Sequence, residues 1–279
     1  MPIATPTPLL VNPQRRRFAA TCLAALPLPA WAQSGAAGAK PLTIAAAASV
    51  QPALQEILAQ FQQKTGQSTR VIYGASGNLT RQIQQGLPAE VFLSADEDFA
   101  KRLAQAGLTE SGVAAPGVTA SEPAGVVYAV GRLALQVAPG VPIALDAELR
   151  GLRTDFANVR KFAIANPEIA PFGRAAREAL QHIGLWQQVQ AKLVLGESVA
   201  QATQFVATGA AQAGLTALSL LIGTEAKLVG THIAVAPTMH QPLRQSMVLL
   251  RGAGAQAQAL FAYLQKPEAR AVFSKHGFD

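Results

Sequence analysis

The 279-residue chain has one cysteine, Cys22, and few charged residues, 14% of the total. Cys22 lies inside an apolar N-terminal run and lacks the Leu-x-Gly/Ala context expected before a lipidated cysteine. Once that run is removed, the remaining chain has no thiol, so disulfides and cysteine-ligated metals are excluded. The net charge is +7, but Arg15, Arg16 and Arg17 supply three of those charges and the rest are spread singly. No basic helix or Arg/Lys stripe with interleaved aromatics occurs, which excludes a nucleic-acid footprint. The four histidines, His182, His232, His240 and His276, are scattered without metal-ligand spacing. Ser198, Ser219 and Ser246 lack the Gly-x-Ser-x-Gly setting of an acyl-transfer nucleophile. No stretch is long and apolar enough to span a bilayer, and there is no internal repeat.

Half of the residues are hydrophobic, enough to bury the core of one large or two modest domains. Residues 1–32 read as an export signal. Arg15-Arg16-Arg17-Phe18 precedes an apolar run to Trp31, and Ala30-Trp31-Ala32 resembles a cleavage site. The basic start fits twin-arginine or general secretory export. Residues 33–40 read as a flexible leader to an exported, soluble protein.

The mature chain is organised around Leu42–Val50, a buried strand running through small residues into Ser49 at the head of a helix. Leu54, Ile57, Leu58 and Phe61 mark one face of that helix and Gly66 ends it. Ser49 occupies the position expected of an N-cap. Thr69–Tyr73 reads as a second strand, followed by Gly74-Ala75-Ser76-Gly77-Asn78 and another helix. Two such junctions one β-α unit apart fall side by side at the carboxyl edge of a parallel sheet, where open α/β sheets bind ligands. Val91–Leu93 follows, with Ser94 or Asp96 capping the next helix. Gly125–Val130 and Leu133–Val137 read as strands separated by a tight turn. Phe162–Ile164 leads through Asn166-Pro167 to Pro171-Phe172-Gly173-Arg174, and Val194-Leu195 leads to a helix opening near Val199. The strand–helix alternation predicts parallel α/β sheets throughout. Ser49, Ser76, Phe172 and Val199 each fall where a helix begins after a strand, a position that offers free backbone N–H groups to an anion. Arg81 and Arg174, the only cations in these motifs, read as solvated helix positions, and Trp186 and Phe205 as core.

Three motifs carry a family resemblance: Ala46-Ala47-Ala48-Ser49, the run from Gly74 through Gly86-Leu87-Pro88-Ala89-Glu90-Val91 to Asp96, and Asn166-Pro167…Pro171-Phe172-Gly173. In this order and spacing the chain resembles the periplasmic molybdate-binding proteins of ABC importers, down to Phe273…Gly277-Phe278. The resemblance implies a two-lobed type II periplasmic-binding-protein fold, with residues 41–123 and 243–279 in one lobe, 124–242 in the other, and two crossing strands between them. It implies a molybdate or tungstate ligand, no cofactor, no catalytic residue, and a membrane permease with its ATPase as partners of a monomeric periplasmic protein. Carried over, Ser49 and Ser76 supply hydroxyl and N–H donors, and Phe172 and Val199 supply backbone N–H donors. The family's fifth ligand is often a Tyr hydroxyl, which Ala217 cannot provide. The Phe172 ring is expected to fill that volume and the Val50 N–H to replace the donor. The alternatives are a binding protein for sulfate, phosphate or a phosphonate, or an exported enzyme, which would need a titratable group beside Ser49 or Ser76.

Overall fold

The computed structural model describes residues 40–110, 125–223 and 230–279. The export signal, the leader up to residue 39 and the expected lobe boundary at 123/124 lie outside these residues. The strands are β1 Leu42–Ala47, β2 Thr69–Gly74, β3 Val91–Leu93, β4 Val126–Gly131, β5 Leu133–Val137, β6 Phe162–Ala165, β7 Leu193–Gly196, β8 Ala213–Ala217, β9 Thr231–Ala234 and β10 Leu243–Leu249. The helices are α1 Gln51–Thr65, α2 Ser76–Gln84, α3 Glu97–Gln105, α4 Arg150–Asp155, α5 Pro171–His182, α6 Trp186–Gln190, α7 Val199–Ala207, α8 Ala255–Leu264 and α9 Pro267–Lys275.

Two five-stranded sheets result, in the orders β2-β1-β3-β10-β4 and β7-β6-β8-β5-β9. The chain passes from the first sheet to the second between β4 and β5, and returns between β9 and β10. These passages are the crossing strands of a two-lobed periplasmic-binding-protein fold. Val126–Gly131, expected in the second lobe, pairs with β10 in the first sheet, so the changeover falls at Arg132. Arg132 is therefore a passage between sheets and does not close a hairpin. The sheets are also mixed, contrary to the expectation of parallel strands throughout. β1 runs parallel to β2 and β3, and β6 parallel to β7 and β8. β10 is antiparallel to β3 and β4, and β5 to β8 and β9. The antiparallel strands are the crossing segments, which enter each sheet without a helical crossover to reverse their direction.

Local sequence explains the elements that frame the cleft. β1 is buried along its whole length, as a central strand covered on both faces must be. α1 turns Leu54, Ile57, Leu58 and Phe61 into the first core and ends at Gly66, whose φ of 73° gives the left-handed C-cap. In α5, Pro171 opens the helix, and Ala175, Ala176, Ala179 and Leu180 pack into the second core.

Candidate functional site

Parallel register brings the first two site residues together. Ala47 at the end of β1 pairs with Gly74 at the end of β2, so Ser49 and Ser76 each lie two residues beyond the paired ends. Both are fully buried. The same construction recurs in the second lobe, where Ala165 pairs with Gly196 before the chain turns into α5 and α7. One small cavity is lined by Ser49, Ser76, Phe172 and Val199 together with neighbouring Ala, Gly and Pro residues. No lining residue carries a charged side chain.

Neither serine acts as a helix cap. Ser49 sits in a single 3-10 turn, Ala48–Val50, that precedes α1, and Ser76 is the first residue of α2 after an Ala75 N-cap; neither turn has a side-chain cap bond. The expected N-cap role for Ser49 is thus corrected: the inserted turn moves the start of α1 to Gln51 and releases the hydroxyl. Ser76 Oγ accepts the Ala95 N–H at 2.9 Å, and Ser49 Oγ lies 3.5 Å from Gln245 Nε2. An oxygen that already accepts an N–H keeps its own O–H proton for another acceptor.

Ser76 is the first residue of α2, Phe172 the second of α5 and Val199 the first of α7. The first N–H groups of a helix have no intrahelical acceptor, and the aligned peptide dipoles place partial positive charge there. Three helix heads and the Ser49 turn therefore converge on one space without a charged side chain, suited to an acceptor-only anion. Val50 and Ala217 are also fully buried but do not line the cavity. Ala217 ends β8 opposite Leu133. The Phe172 ring reaches the crossing strands, since a Cβ placed on Gly131 would lie 2.9 Å from Phe172 Cζ. Phe172 and Ala217 share one buried cluster.

Two further groups near the cavity were not evident in the sequence. Asp96 caps α3 by accepting the Phe99 N–H at 3.2 Å, as expected. Its other oxygen, however, faces Arg174 Nη2 at 3.1 Å. Arg174 is thus no solvated helix position. It belongs to α5 of the second lobe and meets an acid of the first, a proximity that no sequence spacing encodes. Burial pushes the Asp96 carboxyl above its ordinary pKa, against the opposing pull of the Phe99 N–H and Arg174. Arg81 bonds locally to Asn78 Oδ1. The second group is Tyr128, whose hydroxyl lies 2.8 Å from Gln245 Oε1 and 3.2 Å from Ser94 O, with burial raising its pKa well above the ordinary phenol value. Among the described residues no group of three or more His, Cys, Asp or Glu is placed to hold a metal ion.

Two α/β lobes joined by crossing strands, with a small donor-lined cavity between them, define the class of two-lobed solute-binding proteins. The chain belongs to the bacterial extracellular solute-binding protein family, whose family model matches residues 42–279. It is 38% identical to the molybdate-binding protein ModA of Rhodobacter capsulatus over 95% of this chain and 97% of that protein. It is 36% identical to ModA of Azotobacter vinelandii over 87% and 91%. The solved periplasmic molybdate-binding protein of Azotobacter vinelandii superposes with a TM-score of 0.74 at 30% identity, covering 85% of this chain and 98% of that one. The motif-based resemblance to the molybdate-binding family thus holds along almost the whole chain.

Proposed function

We propose that the protein captures molybdate, and equally tungstate, in the periplasm and delivers it to a membrane permease driven by a cytoplasmic ATPase. The observation that carries this reading is the convergence of helix heads and two serine hydroxyls on a cavity without a charged side chain. A tetrahedral dianion is acceptor-only, so a shell of donors satisfies every oxygen. A protonated oxyanion would leave an O–H facing an N–H, which is the basis for rejecting phosphate near neutral pH. Hydrogen bonds to a charged group contribute about 1.5–3 kcal/mol each. Several of them, less the desolvation of the ion and the cost of bringing the lobes together, are compatible with micromolar to nanomolar affinity, roughly −8 to −12 kcal/mol. The proposed donors are Ser49 and Ser76 from the first lobe and the Phe172 and Val199 N–H groups from the second. The protein acts as a monomer, without a cofactor.

The test is a melting-temperature screen across oxyanions at equal concentration, since a ligand that binds only the folded state stabilises by mass action. Molybdate and tungstate, matched in size and charge, are expected to raise the melting temperature strongly, and sulfate and phosphate to do little. A sulfate shift equal to that of molybdate would sink the molybdate assignment while leaving an oxyanion-binding protein. No shift with any oxyanion would sink the reading of the cavity itself.

A further inference from the structure

We infer that Arg174 is a positioning residue for ligand capture: it supplies the charge that compensates Asp96 when the lobes close over it, and so controls how long a bound oxyanion is held. The inference rests on reading the cavity as an oxyanion site. Arg174 projects from α5, which packs against β6 and β8 of the second sheet, whereas Asp96 opens α3, which packs on α2 and β10 of the first. The guanidinium places Nη2 3.1 Å from Asp96 Oδ2 and Nη1 3.5 Å from Asp98 Oδ2, while Nε lies 3.9 Å from Glu178 on its own helix.

The environments of the two acids differ. The Asp98 side chain is 61% exposed and can be solvated whether or not Arg174 is near, but that of Asp96 is only 5% exposed. Its Oδ1 accepts from the Phe99 N–H and lies 3.3 Å from the Ser94 hydroxyl. Its Oδ2 is buried and accepts no well-aligned hydrogen bond among the described residues. That oxygen therefore depends on the Arg174 charge, and Arg174 belongs to the opposite lobe. When the lobes part, Asp96 loses Arg174 and gains water. When they meet, water leaves and the guanidinium replaces it. A second contact beside the cavity shows how closely the lobes approach here: the Gly77 N–H donates to Ile169 O at 2.9 Å. Ala95, the residue before Asp96, lines the cavity and binds Ser76 Oγ. An unpaired carboxylate at Asp96 would thus oppose both closure and a dianion a short distance away.

The experiment is a double-mutant cycle on the full exported chain, reading molybdate association and dissociation rates and the melting temperature without added ion. Arg174→Gln is expected to weaken binding about tenfold or more, mainly through faster dissociation, because closure then buries an uncompensated carboxylate. Asp96→Asn keeps the cap, since Asn accepts the same N–H, and is expected to bind within a few-fold of the parent. The double variant is expected to recover most of the loss, with little change in ion-free melting temperature across the set. If the double variant binds as weakly as Arg174→Gln, or more weakly, the inference is overturned. Arg174→Gln binding like the parent overturns it as well. A parent that binds molybdate while the cycle fails removes only the role of Arg174; a parent that binds no oxyanion removes both readings.

Discussion

The Ser76 hydroxyl accepts the Ala95 N–H, which fixes Ala95 against α2 and leaves the hydroxyl proton for the cavity. Ser76→Ala removes both interactions. It is expected to lose about 1.5–3 kcal/mol of binding, roughly tenfold or more in affinity, measured by calorimetric titration with molybdate. Retention of parental affinity would show that the first-lobe donors lie elsewhere. Asp96 gives a prediction of a different kind. Its pKa is raised above 3.8 in the folded protein, chiefly by burial. The native state therefore holds this proton to higher pH than the unfolded chain does, and the group's contribution falls as pH rises through the window above 3.8. Asp96→Asn is expected to flatten that fall. With the lobes held over Asp96 by saturating molybdate, melting curves at a series of pH values should approach one another toward the acid end and separate above it, and parallel profiles would contradict the assignment. Ser76 could be read from sequence because Gly74-Ala75-Ser76-Gly77 is a local device, a strand end and a helix head within a few residues. The partner of Arg174 could not, because it lies on another element of the other lobe.

At the level of elements, the cavity is bounded by helix heads and by no charged side chain. α2, α5 and α7 begin at the cavity with Ser, Pro-Phe and Val, and no acidic residue occupies their first turns. α3, which begins beside them, carries Asp96, Glu97 and Asp98 at its head, and its charge is met by Arg174 and by Arg244, whose Nε lies 3.0 Å from Glu97. Gly77 shows what this convergence demands. A Cβ there would stand 2.9 Å from Ile169 O, 3.1 Å from its Cα and 3.0 Å from Phe99 Cζ. Helix propensity alone favours Ala over Gly by about 1 kcal/mol. Gly77→Ala is therefore expected to leave ion-free stability nearly unchanged or slightly higher while weakening ligand binding, because the added methyl holds the lobes apart. Equal losses in both measurements would mean that the methyl strains the first lobe alone. The elements themselves were legible, since period and caps are local. Their direction in the sheets was not: alternating strands and helices suggest parallel pairing, and nothing local distinguishes a strand that crosses between lobes.

On the scale of the whole molecule, the crossing region lies beside the cavity and connects the two lobes. β4 and β10 lie side by side in the first sheet with a bulge between Gln245 and Ser246. Gln245 stands between Ser49 and Tyr128, and the Phe172 ring tip packs where a side chain on Gly131 would otherwise sit. The last residue, Asp279, exchanges both backbone bonds with Val130, tying the end of the chain to the strand that leads out of the first lobe. A rotation about these strands would separate the Gly77–Ile169 and Arg174–Asp96 contacts together, since each joins a first-lobe helix head to the opening of α5. The proposed donors divide the same way, Ser49 and Ser76 on one side and Phe172 and Val199 on the other. An ion held by both sets is bound fully only when the lobes meet, so binding and closure draw on one free energy. Small-angle scattering is accordingly expected to show a smaller radius of gyration with saturating molybdate than without it. Gly77→Ala and Arg174→Gln should compact less at equal ion concentration, because each opposes the meeting of the lobes by a separate route, one steric and one electrostatic. Identical scattering for the parent with and without the ion would show that capture involves no change in the relative position of the lobes, and the contacts across the cleft would then be fixed parts of the fold.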